Sequence, residues 1–283
     1  MELPVQHSAS ETSDWIRRLG RMGLITKGVL YCLLGTLAFM AAFHFDGHST
    51  EETDRGGVLR TVRDLPAGNL LLAAIALGLL CYCAWRGFQA FGNTEGKDRD
   101  AKGLAARLRY FFSGLTYAAV AALAIRLLFS DSGKKDSQQQ LAQNLLDKPM
   151  GQALAYAAAA IFFVTGIYQF YYAFRGKYRK HAGAGGHKPG GRLLLLAGMI
   201  GYCARGAVWL LIGFLFGRAA LHTRAAEAGD TSRAFNLLQQ GDYGSWLLAA
   251  VGLGLFCYGL FNFIRARYDR LEGKRVSPLF QTR

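Results

Sequence analysis

Acidic residues are what this chain most lacks. Nineteen Asp and Glu stand against 33 Lys and Arg in 283 residues, so the formal net charge is +14 and the pI is near 9.8. Charged residues of both signs make up only 18% of the chain, below the roughly 25% of soluble domains. Disorder needs high charge and few apolar groups; 52% hydrophobic residues and a mean hydropathy of +0.15 exclude it. Cysteine and proline are rare, five of each. No cysteine pair has CxxC spacing, and Cys32, Cys81, Cys83, Cys203 and Cys257 all fall in apolar runs, where small apolar packing is their expected role. The chain also has no Walker-type phosphate loop, no GxSxG elbow and no HExxH helix. Nothing therefore points to an enzyme or to a cofactor.

What is present is a set of long uncharged runs. Gly28 to Phe45 holds 18 residues without an acid, Lys or Arg; Leu65 to Trp85 holds 21, Tyr110 to Ile125 holds 16 and Pro149 to Phe174 holds 26. Leu193 to Gly217 spans 25 residues with Arg205 as its one charge, and Tyr243 to Ile264 gives 22. Crossing the hydrocarbon core takes roughly 20 apolar residues as helix, and in lipid a helix satisfies every backbone amide within its own segment. The expected fold is an all-α integral membrane protein with six transmembrane helices. The first fourteen residues are polar and Met40-Ala41-Ala42 is a poor cleavage site, so no cleavable leader is expected.

The basic residues are distributed unevenly. With six spans both termini share a side, and that side receives 23 of the 33 Lys and Arg. The other receives Arg55, Arg60, Arg63, Arg126, Lys134, Lys135, Lys148, Arg218, Arg224 and Arg233. The positive-inside bias predicts cytoplasmic termini. A basic fringe facing anionic lipid headgroups accounts for the high pI without nucleic acid.

The chain repeats itself three times. Lys27-Gly28-Val29-Leu30-Tyr31, Ser113-Gly114-Leu115-Thr116-Tyr117 and Arg205-Gly206-Ala207-Val208-Trp209 align in the odd spans. Gly68, Gly151 and Gly244 open the even spans, which also align Tyr82, Thr165 and Tyr258, and Trp85, Tyr168 and Phe261. Before each even span lies a short amphipathic segment, at Val58-Leu59…Val62, Leu141…Leu145-Leu146 and Phe235…Leu237-Leu238, expected on the outer surface. The organisation is a polar tail (1–14), repeat 1 (15–93), repeat 2 (107–178), repeat 3 (193–268) and a basic tail (269–283). Three same-way hairpins imply pseudo-threefold symmetry about the membrane normal. Gly213-x-x-x-Gly217 is the one strict GxxxG inside a span, a spacing that favours close helix packing.

This pattern resembles the bacterial membrane-protein family catalogued as domain of unknown function 1206, with three tandem two-helix repeats. Arg21-x-Gly23…Lys27-Gly28 and Gly201-Tyr202-Cys203-Ala204-Arg205-Gly206 carry the resemblance, which runs from about Trp15 to Tyr268. The middle repeat departs from it, with Ser113 at the basic position and Arg109-Tyr110 where repeat 3 has Gly201-Tyr202. The resemblance implies a bacterial cytoplasmic-membrane protein and no particular activity.

No Asp or Glu lies within the six runs, which argues against carboxylate-coupled pumping. The polar residues there form three repeat-equivalent tiers: Lys27, Ser113 and Arg205; Arg86, Gln169 and Asn262; and Met40, Arg126 and Arg218. The first and third are thirteen residues apart, about 20 Å of helix. Three readings of these tiers stand. They snorkel to the interfaces; or Lys27, Arg86, Gln169, Arg205 and Asn262 converge on the axis and bind a small anion or anionic headgroup; or they make contacts within their own helices or to backbone carbonyls. The expected function is a non-enzymatic transporter-like, channel-like or anionic-lipid-binding bundle. A scaffold docking through its basic face is the alternative, and a membrane-embedded enzyme is less favoured. His44-x-Asp46-x-His48 has metal-ligand spacing, but it reads as a solvated loop and no metal is expected. The aromatics Phe170, Tyr171, Tyr172, Phe174, Tyr178, Trp246 and Phe280 fall at run ends as an interfacial belt would. The charge asymmetry is tested directly by a reporter active only in the periplasm. It should be silent when fused after Arg283 and active within residues 130–148; the reverse pattern inverts the topology.

Overall fold

The computed structural model describes residues 6–45, 49–50, 53–91, 101–129, 151–181, 191–222 and 229–268. Among these run eight α-helices and no strand: α1 (Gln6–Ala42), α2 (Arg55–Arg63), α3 (Gly68–Phe91), α4 (Ala101–Phe129), α5 (Gly151–Phe174), α6 (Gly191–His222), α7 (Thr231–Gln239) and α8 (Gly244–Tyr268). A 3-10 turn, Lys177–His181, follows α5. Helices α1, α3, α4, α5, α6 and α8 are each long and apolar enough to cross a membrane, so the chain is an all-α multi-pass membrane protein. Helix α1 already starts at Gln6, inside the polar segment read as a tail. The second amphipathic segment (141–146), most of both inter-repeat linkers, the basic tail with Phe280, and Asp46 and His48 lie outside the described residues.

The two described amphipathic segments are the helices α2 and α7. Each has an Asp as N-cap, at equivalent positions ahead of Gly68 and Gly244. Asp54 accepts from the Gly57 amide at 2.6 Å, and Asp230 accepts from Ser232 and Arg233 at 3.1 and 3.3 Å. The two carboxyls are neighbours, and burial together with the Asp54 charge pushes the Asp230 carboxyl up. The apolar faces (Val58, Leu59 and Val62; Ala234 and Phe235) are buried, because they pack on the spans rather than lying in lipid. Thr50 and Asn236 join the same layer at 3.3 Å. This layer is the capped end of the bundle. Its opposite end carries the start of α1 and the end of α8.

Packing links the spans in the series α4, α3, α1, α8, α6 and α5, with the step from α4 to α5 left open. The most extensive packing lies between repeats: α8 on α1, α5 on α6, and α3 on α4. The first two of these interfaces share one design. A Cβ on Gly28 would strike the Phe263 ring at 2.8 Å, and one on Gly206 would strike the Phe170 ring at 2.8 Å. One step along, Gly259 lies against the Gly28 carbonyl as Gly166 lies against that of Gly206. In the third interface Cys83 replaces that glycine and its thiol donates to the Gly114 carbonyl at 3.3 Å. Equivalent residues making equivalent contacts are the physical content of the pseudo-threefold axis.

Within repeats the picture is unequal. In repeat 1, Gly23 backs onto Tyr82 and Gly78 onto Thr26; in repeat 3, Gly201 backs onto Tyr258 and Gly254 onto Ala204. The repeat-equivalent residues of repeat 2 are Arg109 and Thr165 for the first pair and Phe112 and Ile161 for the second. Bulk replaces the small partner on both sides, and among the described residues α4 and α5 make at most marginal contact. Their apolar stretches are only 28% and 22% buried, against 56% and 50% for α1 and α8.

The aromatic belt is partly an interior feature. Trp246 and Phe174 are exposed, whereas Tyr178 is 2% exposed. The 3-10 turn brings its ring within 5.7 Å of Phe261 and 6.1 Å of Tyr202. Phe170 fills the space over Gly206, and Tyr172 packs on Tyr202 at 4.9 Å. Close approach matters most at Gly35, where a Cβ would lie 2.5 Å from both the Gly252 carbonyl oxygen and the Phe256 nitrogen. Gly217 has only Ala159 Cβ at 4.0 Å. Overpacking costs about 1–3 kcal/mol, so Gly35→Ala should lower the thermal midpoint in detergent by about 2–12 °C. Gly217→Ala should leave it unchanged or raise it slightly through helix propensity. Equal midpoints for the two variants would refute the crossing geometry.

Candidate functional site

In five of the six spans the repeat places a polar residue and an aromatic one helical turn apart; in α5 both residues are polar. Odd spans carry Lys27/Tyr31, Ser113/Tyr117 and Arg205/Trp209; even spans carry Tyr82/Arg86, Thr165/Gln169 and Tyr258/Asn262. Residues four apart share a helix face, so packing the spans together gathers these positions. Tyr31 and Tyr258 meet edge-to-face across α1 and α8 with ring centroids 4.8 Å apart. Their repeat-equivalents Tyr117 and Tyr82 meet across α4 and α3 at the same 4.8 Å. The third interface has Trp209 and Thr165 instead, and Trp209 stacks on Phe162 at 5.3 Å.

Four cations stand over these four tyrosines. Lys27 Nζ lies 5.3, 5.1 and 5.6 Å from the ring centres of Tyr82, Tyr117 and Tyr258 and donates to the Tyr82 hydroxyl at 3.5 Å. Arg86 Nε donates to the same hydroxyl at 2.8 Å, and its Nη1 donates to Gln89 at 2.7 Å. Arg205 Nη1 donates to the Tyr258 hydroxyl at 2.6 Å, with its guanidinium 4.4 Å from that ring and 5.4 Å from Tyr31. Arg55, the first residue of α2, reaches in from the capped end. It donates to the Tyr31 hydroxyl at 3.5 Å and lies 5.4 Å from the Tyr117 ring. Tyr31 and Tyr117 sit near the middle of their spans.

Among the described residues none of these four cations has a carboxylate at ion-pair distance. Cation–π contacts contribute about 2 kcal/mol or more when desolvated, but burying an ion costs several kcal/mol and like charges repel. The hydrogen bonding is also incomplete. The Tyr117 hydroxyl, Arg205 Nε and Asn262 Oδ1 are buried without a hydrogen-bond partner. A phenol that accepts from a guanidinium keeps its own O–H available to donate. The chemistry on offer among the described residues is therefore phenolic, guanidinium and ammonium donors. Such donors recognise oxyanions.

Of the five residues expected from sequence, Lys27, Arg86 and Arg205 come together through shared tyrosines. Lys27 is 5% exposed and turned into the bundle. Asn262 is fully buried but donates to the Tyr258 carbonyl at 2.7 Å. Gln169 is buried on α5 and makes no hydrogen bond to the other four. In the third tier, Arg126 is exposed and Arg218 half-buried, as residues reaching an interface are. Sequence reasoning missed Arg55 and the four tyrosines; the repeat alignment of Tyr31 with Tyr117 and of Tyr82 with Tyr258 was the available signal. His44 has a positive φ of 53° and lies 3.4 Å from the Gln239 amide nitrogen. Among the described residues no group of His, Cys, Asp and Glu gathers in a way that could hold a metal.

The comparisons agree with this repeat architecture. The model of a family described as Domain of Unknown Function (DUF1206) matches residues 22–93, 108–176 and 200–269. Uncharacterized protein YxxB of Bacillus subtilis (strain 168) is 30% identical over 268 residues, which is 94% of this chain and 95% of that protein. A stretch of 101 residues, 36% of this chain, is 36% identical to part of NAD(P)H-quinone oxidoreductase subunit 2 of Microcystis aeruginosa (strain NIES-843 / IAM M-2473). It covers 18% of that subunit, too small a share to bring its activity along. No solved structure matches the chain. With one family match on each hairpin and a relative similar from end to end, the chain belongs to the Domain of Unknown Function (DUF1206) family.

Proposed function

We propose that this protein is a non-enzymatic, anion-binding membrane bundle of the bacterial cytoplasmic membrane, with both termini in the cytoplasm. One observation carries the reading: Lys27, Arg55, Arg86 and Arg205 share four tyrosines near mid-span, with no facing carboxylate among the described residues. An anion would offset the repulsion among the four charges and supply acceptors for the donors left unpaired. The two basic entry points, Arg55 from the capped end and Arg86 from the other, suit a ligand that exchanges with either side. A scaffold docking through its basic fringe would leave this interior arrangement without a purpose. An enzyme would need a base beside one of the hydroxyls, and each hydroxyl that is partnered faces a cation or another hydroxyl.

The test is thermal unfolding of the purified protein in neutral detergent, with inorganic phosphate or sulfate titrated at constant ionic strength. Saturation to about 100 times Kd adds about 2.7 kcal/mol, an expected rise of about 5–11 °C in midpoint. Arg86→Met with Arg205→Met should abolish the rise and, with the repulsion relieved, leave the anion-free midpoint unchanged or higher. A wild-type midpoint indifferent to both anions would end the proposal.

A further inference from the structure

We infer that the ligand of this site is a phospholipid with an anionic headgroup, admitted sideways from the bilayer through the seam between α4 and α5. The inference rests on the anion-binding reading above and assigns its substrate class. Of the six pairs of spans that follow one another in the chain, counting α8 with α1, five pack together and α4 with α5 does not. The cause lies in repeat 2 itself. Where repeats 1 and 3 close with glycine against tyrosine and glycine against a small side chain, repeat 2 has Arg109 and Thr165 at the first pair of equivalent positions and Phe112 and Ile161 at the second. Phe112 is 59% exposed and Ile161 is 62% exposed. The unpacked seam thus carries exposed apolar side chains at membrane depth, and it is the slot by which we infer that the ligand enters.

A polar target lies on the same helix as Phe112. Tyr117, on α4 itself, is 4% exposed and has a buried hydroxyl without a partner. Lys27 and Arg55 stand over its ring at 5.1 and 5.4 Å. The mouth nearer the termini is cationic as well. Arg109 lies 5.4 Å from the Tyr110 ring, within electrostatic reach of Tyr168 and Tyr172 on α5. A free oxyanion has no use for the apolar slot, and a neutral lipid has none for the unpaired cations. An anionic phospholipid fits both, with acyl chains between α4 and α5 and its phosphate toward Lys27, Arg55 and Tyr117.

The experiment uses full-length protein in vesicles of phosphatidylcholine with or without phosphatidylglycerol, with p-benzoylphenylalanine placed at Phe112. A control carries the probe at Leu70 of α3, which is 73% exposed. Photocrosslinking at Phe112 should favour phosphatidylglycerol by about tenfold over its mole fraction, a difference of about 1.4 kcal/mol, while Leu70 should show no preference. In detergent, Phe112→Ala with Ile161→Gly gives the seam the small residues of repeats 1 and 3. It should lose most of the thermal stabilisation by phosphatidylglycerol while keeping that by inorganic phosphate. Equal crosslinking of both lipids, crosslinking to a second copy of the chain, or full phosphatidylglycerol stabilisation of the double variant would overturn the inference. Stabilisation of the wild type by phosphate but not by phosphatidylglycerol would overturn it and leave the anion site standing; stabilisation by neither would remove both. If the double variant does not fold, the crosslinking pattern decides alone.

Discussion

Helices α1 and α8 cross at a separation that only glycine permits. At Gly252 an added Cβ would meet the Gly35 carbonyl and the Phe39 amide at 2.9 Å, and at Gly259 it would meet the Cys32 amide and the Gly28 carbonyl at 2.7 Å. Without a hydrophobic drive between helices in lipid, close van der Waals packing of this kind holds spans together. Its consequence reaches further than packing. The crossing sets Tyr31 against Tyr258, and those two rings are platforms for Arg205 and Lys27. A wider crossing would separate the rings and leave the cations without their aromatic faces. The same step of the repeat, with Cys83 on Gly114, sets Tyr82 against Tyr117. Backbone proximity is therefore the condition for the charge cluster.

On the proposed reading the charge cluster also disfavours an acid on the inward faces of the spans. One carboxylate on an inward face would pair with Lys27 or Arg205 and neutralise the site from within. Tyrosine does something different: its ring face attracts a cation and its hydroxyl accepts a hydrogen bond, yet it carries no full charge that cancels the cation. The cations are held in place while their field stays available. That arrangement is worse than an ion pair for stability alone. It suits a site whose counter-charge arrives with a ligand.

How much of this was legible follows from the kind of signal each feature leaves. The six spans leave uncharged runs of nearly the right length, and the three hairpins leave aligned glycines, so the fold was readable from Gly28, Gly114 and Gly206 onward. Lys27, Arg86 and Arg205 stood out because charge in a span is costly. Their tyrosine partners did not, because a tyrosine in an apolar run looks like any other packing residue until helix rotation is known. Arg55 was invisible as a site residue. It lies beyond the apolar run, among loop charges, and only the N-cap at Asp54 and the docking of α2 turn it inward. Gln169 illustrates the converse: its repeat position resembles that of Arg86, but α5 packs on α6 and leaves α4, so equivalence in sequence did not bring it to the cluster.

The middle repeat is where symmetry in sequence and symmetry in structure part. Ser113 replaces the cation found at Lys27 and Arg205, Thr165 replaces the tyrosine found at Tyr82 and Tyr258, and Arg109 replaces Gly23 and Gly201. Each change removes a contact that would close the hairpin or fill its share of the cluster. Three identical repeats would place a cation in every third of the cluster and raise the repulsion there. The middle repeat instead lowers the buried charge and leaves its hairpin unclosed. On the proposed reading the asymmetry serves both the stability of the cluster and access to it, with substitutions confined to α4 and α5.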